Sequence, residues 1–203
     1  LDTYQLLSKE PINSLADLNG KKVAGAGYNL RYLEGIDGAA GVRGGLPNFY
    51  NMIQTGVVDA AMLWPEAAKT FKIAEVAPYM LKVDLGAVNS KTVTVNKDIW
   101  KKLPQEVKDV LKKVAVEYRD HIAGIAMDRA GASLKAYQAG GGTVITLSSE
   151  ARAAWAKSMP NISIDWAQKL DTQGAPGTAM LKAYTAKLKA AGEIPVRDWA
   201  SEL

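Results

Sequence analysis

Val57-Val58-Asp59-Ala60-Ala61-Met62-Leu63 is a continuous apolar run that carries a single acid. A strand covered on both faces has no need to alternate with polar residues, so this run predicts a strand inside a parallel sheet. On its N-terminal side, Leu46-Pro47 forms a loop that feeds a short helix over Phe49 to Thr55, stopped by Gly56. On its C-terminal side, Pro65 to Val76 is amphipathic, with Ala68, Phe71, Ile73 and Ala74 able to face a core. Strands are also expected at Lys21-Lys22-Val23-Ala24-Gly25, Met80 to Val83, Lys91 to Asn96 and Thr143 to Leu147. Strands that alternate with helices in this way argue an α/β architecture whose sheet is largely parallel.

The helical segments complete the pattern. Pro11 to Leu18 reads as a turn and short helix capped by Asn13 or Ser14, and a second short helix is expected over Leu30 to Ile36. Leu103-Pro104-Gln105-Glu106 opens the longest helix, in which Val107, Val110, Leu111, Val114, Tyr118, Ile122 and Ile125 recur three and four residues apart. It runs to about Tyr137, where Gly140-Gly141-Gly142 ends it. Such a helix has roughly 34 residues and spans about 50 Å, more than one small packing unit. Ser148-Ser149-Glu150-Ala151 opens another helix, and Thr178 to Ala191 supplies a late one.

Composition bounds the function classes. With 203 residues, 48% hydrophobic and 23% charged, the chain can bury a core and is not disordered. No apolar run approaches the roughly 18 to 20 residues needed to span a bilayer, so a soluble protein without membrane insertion is expected. The absence of cysteine removes disulfides and thiolate chemistry. The chain opens on Leu1, with no charged start and apolar signal segment, so an upstream part is expected to have been removed. The net charge of +4 is mild and its basic residues are dispersed, which argues against nucleic acid but would help gather small anions.

Catalytic and metal constellations are not legible. His121 is the single histidine, and beside Ile122 in the long helix it reads as a helix-face or core residue. No carboxylate spacing matches a metal loop, so no metal and no cofactor is expected. Gly25-Ala26-Gly27 lacks the third glycine of a dinucleotide fingerprint and the Gly-Lys-Ser/Thr of a phosphate loop. An enzyme working with carboxylates and arginine alone has no nucleophile or base pattern to support it, and no catalytic residue is expected.

Three stretches in order resemble the solute-binding subunits of tripartite ATP-independent periplasmic (TRAP) transporters, the dicarboxylate-binding subunit family. They are Pro11-Ile12-Asn13-Ser14-Leu15-Ala16-Asp17-Leu18-Asn19-Gly20-Lys21-Lys22-Val23, Tyr50-Asn51-Met52-Ile53-Gln54-Thr55-Gly56-Val57-Val58-Asp59, and Val95-Asn96-Lys97-Asp98-Ile99-Trp100-Lys101-Lys102-Leu103-Pro104-Gln105-Glu106-Val107. The ending Gly192 to Trp199 is similar to one subgroup. The resemblance implies a periplasmic-binding-protein-like fold of two α/β lobes with mostly parallel sheets, a long helix linking them and a ligand closed between them. It implies that residues 1–23 lead in from the first lobe, 24–89 form the ligand-binding second lobe, 90–129 return to the first, and 130–203 complete the second. Roughly 100 to 120 residues of the first lobe would then be missing, and a chain without them is expected to bind weakly, because closure buries the ligand. The implied role is periplasmic capture of a small organic acid for TRAP membrane subunits. An extracytoplasmic ligand sensor with the same fold is the alternative.

The pocket departs from the family pattern. The family arginine in the strand after Gly-Lys-Lys falls on Ala24, a second falls on Tyr4, and the polar Glu-Asn pair is replaced by Met62-Leu63-Trp64. The nearby candidates for ligand binding are Arg31 and Arg43 with Tyr28, Asn29 and Trp64. Arg31 is the expected anion partner, since Tyr28-Asn29-Leu30-Arg31 stands where a strand-end loop meets a helix and a guanidinium can grip a carboxylate with two bonds. A solvated helix arginine is the other reading of Arg31, and the same holds for Arg43. Trp64 is either a pocket wall or a core residue closing the strand, while Phe49 and Tyr50 read as packing residues. An apolar site with fewer guanidinium groups favours a monocarboxylate or aromatic acid over a C4-dicarboxylate.

Overall fold

The computed structural model describes residues 3–86 and 92–203. In chain order the elements are β1 (Gln5–Ser8), β2 (Lys22–Gly25), β3 (Ala40–Arg43), α1 (Leu46–Gln54), β4 (Ala60–Leu63), α2 (Pro65–Thr70), β5 (Tyr79–Lys82), α3 (Lys97–Lys102), α4 (Gln105–Ala139), β6 (Thr143–Thr146), α5 (Ser149–Ser158), α6 (Ile162–Thr172) and α7 (Gly177–Ala190). The strands form a six-stranded sheet in the order β3-β2-β4-β1-β5-β6. β2 pairs in parallel with β3 and β4, and β5 with β6, whereas β1 runs antiparallel to both of its neighbours. The largely parallel sheet is therefore interrupted at its centre by one reversed strand.

The expected strand at 57–63 is β4, shortened to its last four residues, all buried. Its side chains alternate between two cores because successive residues of a strand point to opposite faces. Ala60 and Met62 join Leu6, Val23, Leu81 and Trp155 on one face. Ala61 and Leu63 join Leu7, Phe49, Ile53, Met80 and Tyr137 on the other. Asp59, the acid of the run, stays at the strand entry, where its carboxylate accepts a hydrogen bond from the Lys22 backbone N–H at 2.8 Å.

Four expectations change. β1 and β3 were not visible in the sequence pattern, although β1 lies in the middle of the sheet. The helix expected over Leu30 to Ile36 is a run of 3₁₀ turns over Gly27–Gly35. The expected strand Lys91–Asn96 is not one: Lys91 lies outside the described residues, and residues 92–96 are irregular and exposed. Their β-branched alternation has no neighbouring strand to pair with among the described residues, and pairing is what makes a strand. The apolar stripe of α4 is largely uncovered. Val110, Val114 and Tyr118 are more than half exposed, and only Ser133 and Tyr137 are buried on this 35-residue helix. Its C-terminal part packs against α2 and the sheet, with the Tyr137 hydroxyl donating to the Ala77 carbonyl at 2.8 Å.

The C-terminal tail is held by a clamp on Arg197. Its Nε and Nη2 donate to the two carboxylate oxygens of Glu202, each at 2.7 Å, its Nη1 donates to the Ala156 carbonyl at 2.8 Å, and its guanidinium stacks 4.1 Å from the Trp199 ring. Arg197, and after it the Asn161 amide, holds the Glu202 carboxyl down from 4.5 to about 2. A depressed carboxylate contributes its stabilisation above its unfolded pKa and loses it as pH falls through the folded one. Acid titration from pH 4.5 towards 2 is accordingly expected to free the tail, read as a change in tryptophan fluorescence. Glu202→Gln should remove that step, and an unchanged acid titration in the variant would refute the clamp.

Candidate functional site

β2, β3, β4, β5 and β6 all run in one direction, so Gly25, Arg43, Leu63, Lys82 and Thr146 end on one edge of the sheet, where β1 begins. Loops at the carboxyl ends of strands are where open α/β sheets bind ligands. Gly25 is in register with Arg43, and the Gly44 N–H donates to the Gly25 carbonyl at 3.1 Å, which extends the ladder one bond past Arg43. A side chain at Gly25 would come within 2.7 Å of the Leu30 side chain, which would have to shift to admit it.

The structure brings three of the five sequence candidates to this edge. Arg43 is exposed and has no carboxylate or carbonyl partner among the described residues. Tyr28 is 60% exposed. Trp64 is half-buried at the mouth of α2, edge-on to the buried Tyr4 ring at 5.3 Å between centroids. Arg31 is placed differently. It donates to both oxygens of Glu34 at 3.0 and 3.1 Å and to Asp165 at 2.9 Å, tying the 3₁₀ turns to α6. Those two carboxylates, Glu34 first, raise the Arg31 pKa above its ordinary value. Asn29 is buried, and its side-chain oxygen has no partner among the described residues. Phe49 packs in the core, and Tyr50 donates to Glu75 at 3.0 Å.

Ala24, Met62 and Leu63, which stand where the family pattern carries polar groups, are wholly buried. Their side chains pack into the two cores of the sheet, so the edge is apolar at its root and polar at its rim.

A residue not singled out from sequence organises the other half of the edge. Gln5 is buried, and its side-chain oxygen accepts from the Val83 and Asp84 backbone N–H groups at 2.8 and 3.0 Å. Its amide donates to the Asp84 carboxylate at 2.8 Å. Lys82 lies 3.7 Å from the same carboxylate, and Asp84 adopts a left-handed backbone with φ of 49°. This clamp pins the point at which the chain leaves β5. Two cavities flank it, one of about 200 Å³ between Gln5, Pro65, Lys82 and Gly131, and one of about 320 Å³ on the opposite face, beside Arg152 and Trp155. The sequence signal for the second was Arg152 and Trp155 three residues apart on one helix face.

Comparison with known proteins gives concordant findings. The family model described as bacterial extracellular solute-binding protein, family 7, matches residues 2–169. A C4-dicarboxylate-binding periplasmic protein of Rhodobacter capsulatus is 33% identical over 68% of this chain and 40% of its own length. Among solved structures, a TRAP periplasmic solute-binding protein of Desulfovibrio salexigens with bound orotic acid superposes with a TM-score of 0.77 at 22% identity, covering 93% of this chain and 60% of the other. The periplasmic ectoine-binding protein of a Halomonas elongata TRAP transporter gives 0.75 at 22% identity, over 93% and 61%. The chain thus spans two-fifths of the curated relative and about three-fifths of these structures.

Proposed function

Because the chain belongs to family 7 of the bacterial extracellular solute-binding proteins, we propose that it captures a small organic acid in the periplasm and delivers it to the membrane subunits of a TRAP transporter. The observation that carries the reading is Arg43: an exposed guanidinium with no protein anion among the described residues, at the carboxyl end of a strand, on the same edge as Tyr28 and Trp64. A carboxylate would satisfy that fork with two parallel bonds. Tyr28 and Trp64 would supply the apolar and aromatic surface, and Arg31 with its carboxylates would hold the 3₁₀ turns that carry Tyr28 and Asn29. One guanidinium and an apolar root favour a monocarboxylate or aromatic acid over a C4-dicarboxylate.

The lobe division follows the same proposal. Residues 24–89 and 130–203 would form the ligand-bearing lobe, with 1–23 leading in from the first lobe and 90–129 returning to it. The exposed apolar side chains on the first half of α4 support this, since a stripe of that size needs a cover.

A thermal-shift screen of the protein with both lobes present, against lactate, glucuronate, benzoate, orotate and succinate, tests the function. An acid present at about 100 times its Kd should stabilise the protein by roughly 2.7 kcal/mol. A shift with a monocarboxylic or aromatic acid supports the proposed pocket, a shift confined to succinate overturns the acid class, and no shift with any acid overturns the function.

A further inference from the structure

The cavity of about 320 Å³ beside α5 lies on the opposite face of the sheet from the α1 and α2 core, under the tail that carries Trp199. Its size is at the lower end of the roughly 300 to 1,000 Å³ typical of small-molecule pockets. Tyr32, Trp155 and Trp199 give it three aromatic walls, and Arg152, Arg197 and Asp84 are its charged lining residues. The charges are unequal in what they have left to offer. Arg197 is neutralised by Glu202 and its remaining nitrogen is spent on the backbone carbonyls of Ala156, Lys157 and Met159. Asp84 is engaged by Gln5 and sits beside Lys82. Among the described residues Arg152 has no carboxylate partner: Nε donates to the Val83 carbonyl at 3.1 Å and Nη2 to the Asp84 carbonyl at 2.7 Å.

A guanidinium has five N–H donors in a rigid plane, so those two bonds fix its orientation and leave donors for a ligand. Ser163, on the first turn of α6, adds a hydroxyl to the lining. Trp155 cannot swing away, because its indole N–H donates to the Tyr32 carbonyl at 2.8 Å. The cavity therefore has fixed aromatic walls and one oriented, uncompensated cation.

We propose that this cavity is a second ligand site, taking a small aromatic carboxylate with its carboxylate on Arg152 and its ring against Tyr32, Trp155 and Trp199. It is independent of the site proposed at the sheet edge, with which it shares no side chain.

The test uses benzoate as probe, with benzyl alcohol and acetate as the charge-less and ring-less controls. Binding is followed through the tryptophan indole N–H resonances, assigned by single Trp→Phe variants. Benzoate is expected to saturate shifts of the Trp155 and Trp199 signals, with both controls much weaker. Arg152→Gln should weaken benzoate roughly 10- to 100-fold, the loss of a charged hydrogen bond. Since Arg152 also supports β5, Ser163→Phe, which fills the cavity from α6, is the second variant and should abolish the shifts in a protein of unchanged melting temperature. Arg43→Gln should leave them intact, which separates this site from the edge. Shifts confined to Trp64, benzyl alcohol binding as tightly as benzoate, retained binding in Ser163→Phe, or no saturable response would each overturn the proposal.

Discussion

Arg43→Gln is expected to weaken capture of the organic acid about 10- to 100-fold, the equivalent of the roughly 1.5–3 kcal/mol carried by hydrogen bonds to a charged group. The Arg43 side chain ties no two parts of the fold together among the described residues. It is exposed at the end of the edge strand β3 and bonds to no protein group among the described residues, so its removal should leave stability within about 0.5 kcal/mol. An affinity loss without a stability loss is the mark of a ligand-facing group. Arg43→Lys keeps the charge but not the planar fork, and is expected to fall between the wild type and glutamine. Calorimetric titration of each variant with the acid that gives the largest thermal shift decides it. Equal affinity in all three proteins would remove Arg43 from the site and move attention to Arg31, whose release would then require the Glu34 and Asp165 bonds to break.

Legibility of the fold from the sequence tracked burial. β4 was readable because both of its faces are covered, and a buried strand needs a run of apolar residues and nothing else. β6, the helix cap at Ser148 and the end of α4 at Gly140 follow local rules, and the structure has them where those rules put them. β1 was not readable. Gln5-Leu6-Leu7-Ser8 is short, and its first residue is satisfied by Asp84, 79 residues along the chain, so no local pattern marks it. β3 is an edge strand, three of its four residues exposed, and Ala-Gly-Val-Arg has neither alternation nor strong strand propensity. The strand expected at Lys91–Asn96 failed for the converse reason: its local pattern is right, but propensity without a partner strand makes no ladder.

The candidate site divides in the same way. Tyr28 and Trp64 could be nominated because they follow β2 and β4, whose ends are visible as boundaries of apolar runs, whereas Arg43 was nominated only as a nearby arginine, the strand it ends being illegible. That Arg31 is matched by Asp165, 134 residues away, could not be read from spacing. Nor could the side-chain clamp of Gln5 on residues 83 and 84, which depends on two strands lying side by side. Family resemblance supplied the order of the segments, and it also marked Tyr4, Ala24 and Met62-Leu63-Trp64 as departures. The structure adds that Tyr4, Ala24, Met62 and Leu63 are core while Trp64 is half-buried at the strand end, so the departure touches both the sheet's interior and its rim.

Gln5→Leu should have the largest effect on the folded state. The substitution keeps the volume and removes the acceptor for two backbone N–H groups, of Val83 and Asp84, at the point where the chain turns out of β5. Each buried donor left unsatisfied costs about 1–3 kcal/mol, so a loss of roughly 2–6 kcal/mol is expected, with a fall in Tm on the order of 10 °C. Asp84 would also lose the amide that holds its carboxylate, in a residue whose left-handed backbone needs its surroundings to maintain it. Gln5→Glu separates acceptor from donor. Its carboxylate can take both N–H bonds but cannot donate to Asp84, and at neutral pH it sets two negative charges side by side. It should therefore be less damaged than Gln5→Leu, and like-charge repulsion should raise the pKa of the pair. A raised folded pKa means stability present at low pH and lost as pH rises, so the deficit of Gln5→Glu relative to wild type should shrink on acidification while that of Gln5→Leu stays constant. Urea unfolding at several pH values measures both. If Gln5→Leu unfolds at the wild-type midpoint, the clamp is not what fixes the exit from β5. If the two variants share one pH-independent deficit, the loss comes from packing and not from the hydrogen bonds.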